Sequence, residues 1–128
     1  MVKSPTDRLP QSVAGEEFQK LVDIMARLRG PGGCPWDREQ TLASLGGFVL
    51  EETYEVLDAI ARADHEELRA EIGDFLFEGV FLAQIETDAQ RFTVADSLRH
   101  VVEKLVRRHP HVFGSAGGVD TPGRVVEQ

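Results

Sequence analysis

Residues 48–78 read FVLEETYEVLDAIARADHEELRAEIGDFLFE, and the fold is decided in this stretch. It holds two acidic clusters on what read as consecutive helices, Glu51-Glu52-x-x-Glu55 and Glu71-x-x-Asp74. Residues three apart share one face of a helix, so Glu52 pairs with Glu55 and Glu71 with Asp74. Phe48, Leu50, Val56, Leu57 and Ile60 supply the apolar stripe of the first helix, and Ile72, Phe75, Leu76 and Val80 that of the second. Carboxylates beside those stripes are expected near the interhelical seam rather than out in water. Like charges converging there are costly unless a cation neutralises them. Carboxylate oxygen is a hard ligand, and a cluster lacking Cys and His suits Mg²⁺ or Mn²⁺. The ordinary reading of a lone ExxE is a solvated helix face, because Glu is a good helix former. Two such clusters on adjoining helices, each embedded in apolar sequence, favour a divalent metal site.

Composition bounds the rest. A chain of 128 residues fits one domain with one modest core. Acidic residues outnumber basic ones 22 to 14, a formal charge of −8, which argues against a general nucleic-acid-binding surface. The single cysteine, Cys34, excludes an intramolecular disulfide and fits a reducing compartment. No adjoining His or helix start lowers its pKa, so it reads as structural. No apolar run approaches the roughly 20 residues of a membrane span, and the N-terminus lacks a signal-peptide core. The expectation is a soluble, cytoplasmic protein without a membrane partner.

Working outward from the central stretch, the periodicity predicts four main helices. The first spans about 15–29, with Phe18, Leu21, Val22, Met25 and Leu28 inward, and stops at Gly30-Pro31. Lys20, Arg27 and Arg29 read as its solvated polar face. The second spans about 45–63. Asp64-x-x-Glu67 resembles a capping box opening the third helix, which runs to about Ile85. The short connection makes these two antiparallel neighbours and sets Glu52 and Glu55 opposite Glu71 and Asp74. Thr93-x-x-Asp96 opens the fourth, about 94–108, with Leu98, Val101, Val102 and Leu105 inward and Pro110 ending it. Residues 1–14 read as a flexible leader, 15–113 as the domain and 114–128 as a flexible tail.

Three features outside the acidic clusters carry chemistry. Residues 30–41, GPGGCPWDREQT, form a turn-rich loop without the Gly-Lys-Ser/Thr of a Walker-type phosphate loop. Trp36 within it reads equally as a plug for one end of the core or as a platform on which a nucleobase stacks. Lys104, Arg107 and Arg108 end the fourth helix. Cations there complement the macrodipole, and guanidinium also binds phosphate bidentately. His109-x-His111 reads as a helix end rather than a metal pair. Phe75, Leu76, Phe77, Val80, Phe81 and Leu82 wrap much of the third helix, more than one small core needs. An obligate homodimer, or a dimer of dimers, is the expected way to cover that surface.

MARLRGPGGCPWDREQT, LEETYEVLDAI, ELRAEIGD and KLVRRHPHVFG, in that order over roughly residues 17–113, resemble the MazG nucleoside triphosphate pyrophosphohydrolases. The family pattern EExxE then ExxD is matched by Glu51, Glu52, Glu55, Glu71 and Asp74. The resemblance implies an all-α NTP pyrophosphatase fold, a helical bundle in an oligomer with its site near a subunit interface. It implies Mg²⁺-dependent hydrolysis of nucleoside triphosphates to monophosphate and pyrophosphate. By that likeness Glu52, Glu55, Glu71 and Asp74 are metal ligands, while Glu51 is ligand, outer carboxylate or water-orienting base. Some family members carry two tandem copies of the domain; this chain carries one.

Residue chemistry agrees with that activity. Attack at the α-phosphorus needs a nucleophilic water and neutralisation of a polyanion, and metals supply both. Lys104, Arg107 and Arg108 are candidates for the phosphate tail, Trp36 for the base, and Glu51 or Glu55 for accepting the water's proton. Asp58 and Glu78 lie a turn beyond their clusters and are candidate additions to the shell. The nearest rival is a related pyrophosphohydrolase of one dedicated substrate, such as phosphoribosyl-ATP. A ferritin-like di-iron bundle uses Glu-x-x-His pairs, and here Asp74 stands where His would be. A non-catalytic acidic interaction module leaves Trp36 and the basic cluster unexplained.

Overall fold

In the computed structural model, residues 11–114 are described; residues 1–10 of the leader expected at 1–14, and residues 115–128 of the tail expected at 114–128, lie outside them. Every regular element among the described residues is helical: α1 Gln11–Arg29, α2 Pro35–Glu39, α3 Leu42–Ala61, α4 His65–Asp88, α5 Val94–Arg108 and α6 Pro110–Phe113. No helix among them is long and apolar enough to cross a membrane. The chain divides into two compact units, Met1–Arg91 and Phe92–Gln128.

In the first unit, Met25 of α1 and Leu45 of α3 meet Val80, Phe81 and Ile85 of α4 in a buried cluster. Phe18, Leu21, Val22, Leu28, Phe77 and Leu82 pack around it. The inward face expected for the first helix is therefore the observed one. That helix begins at Gln11, four residues before the expected start and inside the expected leader.

Its end is built by glycine. A Cβ on Gly33 would overlap the Leu28 and Arg27 carbonyls, and Gly32 has φ +75°. This lets Cys34 N–H reach the Leu28 carbonyl at 2.8 Å. Residues 35–39, expected as loop, form α2, with Pro35 in its first turn, where a missing N–H costs nothing.

Arg29 does not decorate a solvated face. Its Nη1 donates to the carbonyls of Asp37 (2.6 Å) and Gln40 (3.1 Å), and its Nε to Asp88 Oδ2 at 2.8 Å. The guanidinium also lies 5.9 Å from the Phe81 ring centroid. It fastens the α2 segment to the end of α4, a long-range role that helical periodicity does not reveal.

Thr41 and Ser44 form a full capping box that starts α3 three residues earlier than expected. At its other end Asp64 N–H bonds the Ala59 carbonyl at 3.1 Å, and Ala63 turns the chain with φ 53°. Asp64 Oδ1 then accepts from Glu67 N–H at 3.0 Å, the forward half of the expected box. Leu45 packs with Val80, Phe81 and Ile85, while Glu52 and Glu55 lie beside Glu71. Position along α3 therefore rises as position along α4 falls, and the pair is an antiparallel hairpin. The apolar stripe expected to pack is only partly used: Phe48, Leu50, Leu57, Ile60, Ile72, Phe75 and Leu76 are exposed.

The second unit contains α5 and α6. Thr93 and Asp96 form the expected reciprocal cap. Leu98, Val101, Val102 and Leu105, expected inward, are exposed, and no residue of α5 is buried. Pro110 follows the end of α5, as expected, but starts the short helix α6 rather than a coil. His109 Nδ1 lies 2.6 Å from the Leu105 carbonyl. Its ring sits 5.4 Å from that of His111, so His109 serves the helix end.

Candidate metal centre

The site arises from where the seam cuts the two acidic patterns. Glu52 and Glu71 are turned into the α3–α4 seam and are 9% and 5% exposed. Glu55, one turn along α3, is exposed at the seam's edge. One carboxylate oxygen from each of Glu52, Glu55 and Glu71 lies within 4.8 Å of the others. Of the four ligands that the EExxE and ExxD pattern implies, these three are brought together. Asp74 is exposed and stands outside the group.

Among the described residues no cationic side chain pairs with Glu52, Glu55 or Glu71, and the carboxyl groups hold protons instead. The Glu71 carboxyl is pushed up to about 8, first by its hydrogen bond to Glu55, then by burial and by repulsion from Glu52 and Glu55. Glu52 is also raised, chiefly by burial, then by the charges of Glu55 and Asp74, against a hydrogen bond from Glu71 that lowers it. Glu78 is raised by burial and by Asp74. Glu52 Oε2 and Glu78 Oε2 are shielded from solvent with no hydrogen-bond partner among the described residues. Such acceptors each forfeit about 1–3 kcal/mol unless something donates to them. A hard divalent cation fits this donor set of carboxylate oxygens and the orphaned Glu52 oxygen.

Beside the cluster opens a cleft of about 690 Å³, lined on α3 by Gly47, Leu50, Glu51, Tyr54, Glu55 and Asp58, and across it by Glu67 and Glu71. Glu51 is on the cleft wall, not in the three-carboxylate group. Arg62 at one end is held by Asp58 Oδ2 (2.8 Å) and Asp64 Oδ2 (3.2 Å). Asp58 is thereby an ion-pair partner as well as a cleft residue. Sequence reading offered no role for Arg62 or Tyr54 here; the i+3 and i+4 steps from Glu51, Glu55 and Asp58 are the signal that places them on this face.

Trp36 is 51% exposed, so it plugs the end of the core only in part. One edge packs against Phe48 (centroids 5.8 Å apart, near-perpendicular) and Phe81 (6.5 Å), and the remainder faces solvent. Phe48 precedes Glu52 by one helical turn. Lys104, Arg107 and Arg108 belong to the second unit, Arg107 and Arg108 on the last turn of α5 and Lys104 about one turn before its end.

Comparison with known proteins identifies the arrangement. The model of the MazG nucleotide pyrophosphohydrolase domain matches residues 40–113. The chain is 52% identical over 101 residues to the nucleoside triphosphate pyrophosphohydrolase of Escherichia coli K12, covering 78% of this chain and 38% of that protein. It is 48% identical over 105 residues to the nucleoside triphosphate pyrophosphohydrolase/pyrophosphatase MazG of Thermotoga maritima, covering 82% and 41%. Identity to the nucleoside triphosphate pyrophosphohydrolase of Mycobacterium tuberculosis is 42% over 106 residues, covering 81% and 32%. The chain thus spans about two fifths or less of the length of these relatives. With the matched region running from the start of α3 through α6, the chain belongs to the MazG nucleotide pyrophosphohydrolase domain family.

Proposed function

We propose that this chain hydrolyses nucleoside triphosphates to nucleoside monophosphate and pyrophosphate, with Mg²⁺ as its cation and Mn²⁺ as a substitute, in the cytoplasmic nucleotide pool. The observation that carries the reading is the convergence of Glu52, Glu55 and Glu71 within 4.8 Å beside an open cleft, with a buried Glu52 oxygen unpartnered. Glu52, Glu55, Glu71 and Asp74 are the residues assigned to hold the cation. When bound, it supplies positive charge against the phosphates and eases loss of a proton from water.

The chain's own residues have separate tasks. Glu51, on the cleft wall, orients the attacking water and accepts its proton. Glu55 is the second carboxylate able to take that proton. Trp36, half-exposed and braced by Phe48 and Phe81, offers a face for the base. Lys104, Arg107 and Arg108 are assigned to the polyphosphate tail on charge alone. Residues 15–113 form the functional domain, and the exposed apolar face of the α3–α4 hairpin is assigned to a homodimer or dimer of dimers.

Chromatography of ATP, GTP, CTP and UTP digests with and without Mg²⁺ tests the reaction. Monophosphate and pyrophosphate are the expected products, and only with cation present. Diphosphate and orthophosphate would mean attack at the γ-phosphorus and overturn the assignment. Glu51→Gln is expected to lower kcat by at least about 100-fold while cation affinity changes little. A variant with unchanged kcat would remove Glu51 from the mechanism.

A further inference from the structure

The cleft beside the carboxylates has an uneven chemistry along its length. Its α3 wall recurs in steps of three and four residues, so one stripe carries it from Gly47 to the bend at Arg62. The uncharged residues of that stripe, Gly47, Leu50 and Tyr54, all precede Glu55. Leu50 and Tyr54 are both exposed there. Beyond Glu55, toward the bend, every lining residue is charged: Asp58 and Arg62 on one side and Glu67 on the other. Glu55 and Glu71, two of the three converging carboxylates, lie between these halves.

Among the described residues that line the cleft, Arg62 is the only cation, against five carboxylates. Its guanidinium is held in place. Nε donates to Asp58 Oδ2 at 2.8 Å and Nη1 to Asp64 Oδ2 at 3.2 Å. One tether comes from the preceding turn of α3 and the other from the cap of α4, so both sides of the bend fix the fork. Exposed ion pairs of this kind add little to stability, so the main effect of the tethers is to set where the fork sits. A guanidinium has five N–H donors; two are used here, and Nη2 makes no hydrogen bond among the described residues. The side chain is half exposed. Arg62 follows Glu55 by seven residues, about 10 Å along the axis, and side chains lean toward a helix's N-terminus. Its bond to Asp58 shows that it does reach back along the cleft.

We propose that Arg62 binds the outer phosphates of the nucleotide, the pair that leaves as pyrophosphate, and that the nucleoside lies toward Leu50 and Tyr54. This rests on the pyrophosphohydrolase reading above, to which it adds a contact and a direction. Trp36, packed on Phe48, belongs to the same nucleoside half of α3. Charge builds on the pyrophosphate as its bond to the α-phosphorus breaks. A guanidinium already fixed in place stabilises that charge without reorganising.

Calorimetry separates the two ends of the ligand. The probes are the nucleoside monophosphate and the non-hydrolysable α,β-imido triphosphate of whichever nucleotide the wild-type chain hydrolyses fastest, both with Mg²⁺. Arg62→Gln, with folding checked by circular dichroism, is expected to weaken the triphosphate analogue by about tenfold or more and leave the monophosphate unchanged. Arg62→Lys is expected to recover part of the loss, because it restores the charge without the fork. Arg62→Met, which keeps most of the stem, takes the place of Arg62→Gln if that variant does not fold. Unchanged affinity for the triphosphate analogue would overturn the proposal. Equal losses for both ligands would also overturn it, since they would mean that Arg62 only supports the bend. A wild-type chain that hydrolyses none of the four nucleoside triphosphates would overturn the pyrophosphohydrolase reading and this inference together.

Discussion

Glu71 is where a proton occupies the position proposed for a cation ligand. Its carboxyl holds a proton up to about 8 in the folded chain, against an ordinary value of 4.5. Between those values the folded form binds more protons than the unfolded one, so stability falls as pH rises through that window. In chelator, the melting temperature is expected to be lower at about pH 8.5 than at about pH 6, and Mg²⁺ is expected to restore it at the higher pH. Glu71→Gln removes the titrating group, so its apo chain should show a flatter profile; a profile as steep as wild type would show that the proton resides elsewhere. Arg29 governs a different region. Arg29→Ala leaves the Asp37 and Gln40 carbonyls and the Asp88 carboxylate without their donor. A loss of about 2–3 kcal/mol in urea denaturation is expected, with Arg29→Lys recovering part of it.

Elements were more legible in the sequence than their ends. The i, i+3, i+4 pattern of Phe18, Leu21, Val22, Met25 and Leu28 names the buried face of α1 because that helix has one partner-facing side. The EExxE and ExxD spacings likewise anticipate a carboxylate seam, since a short hairpin fixes which turns face each other. Asp74 is the partial exception: sharing a face with Glu71 did not bring it into the same oxygen cluster. The Thr41–Ser44 cap went unread because Ser at the third position replaces the expected acidic partner. Periodicity also misjudged Leu50, Leu57 and Ile60, for an apolar stripe states that a face must be covered and not by what. Thr41→Ala is expected to cost about 1 kcal/mol by freeing the Ser44 N–H, measurable as a lower urea midpoint. No change in midpoint would show that Ser44 and Gln40 hold the helix start without it.

At the scale of the molecule, the α3–α4 hairpin exposes Leu50, Tyr54, Leu57 and Ile60 along one helix and Ile72, Phe75 and Leu76 along the other. So many large apolar side chains exposed on one helix pair ordinarily mark an interaction surface. Light scattering is expected to find a dimer or tetramer at micromolar concentration. Leu57→Glu changes an exposed side chain, so the fold should survive with stability altered by no more than about 0.5 kcal/mol at the level of a single chain. Its expected effect is dissociation. A wild-type monomer with full activity would show that this face stays in water.

The turn at Arg62–Asp64 has a consequence for how the chain tolerates length changes. Ala63 occupies the left-handed region at φ 53°, and Asp64 immediately caps the next helix. Glu71 is thus a fixed number of helical steps from the bend. One residue inserted just past Asp64, in the first turn of α4, would advance the rest of that helix by about 100° of rotation and swing Glu71 away from Glu52 and Glu55, and Val80, Phe81 and Ile85 away from the core. Inserting four residues into the start of α4 itself, just past Asp64, would nearly restore its phase but displace Glu71 by about 6 Å along the axis. Substitution tests chemistry at this bend, whereas insertion tests its arithmetic: Ala63→Gly should fold and bind cation as the parent does, and a single added residue should lose cation binding and core packing together, the latter read as a lower urea midpoint.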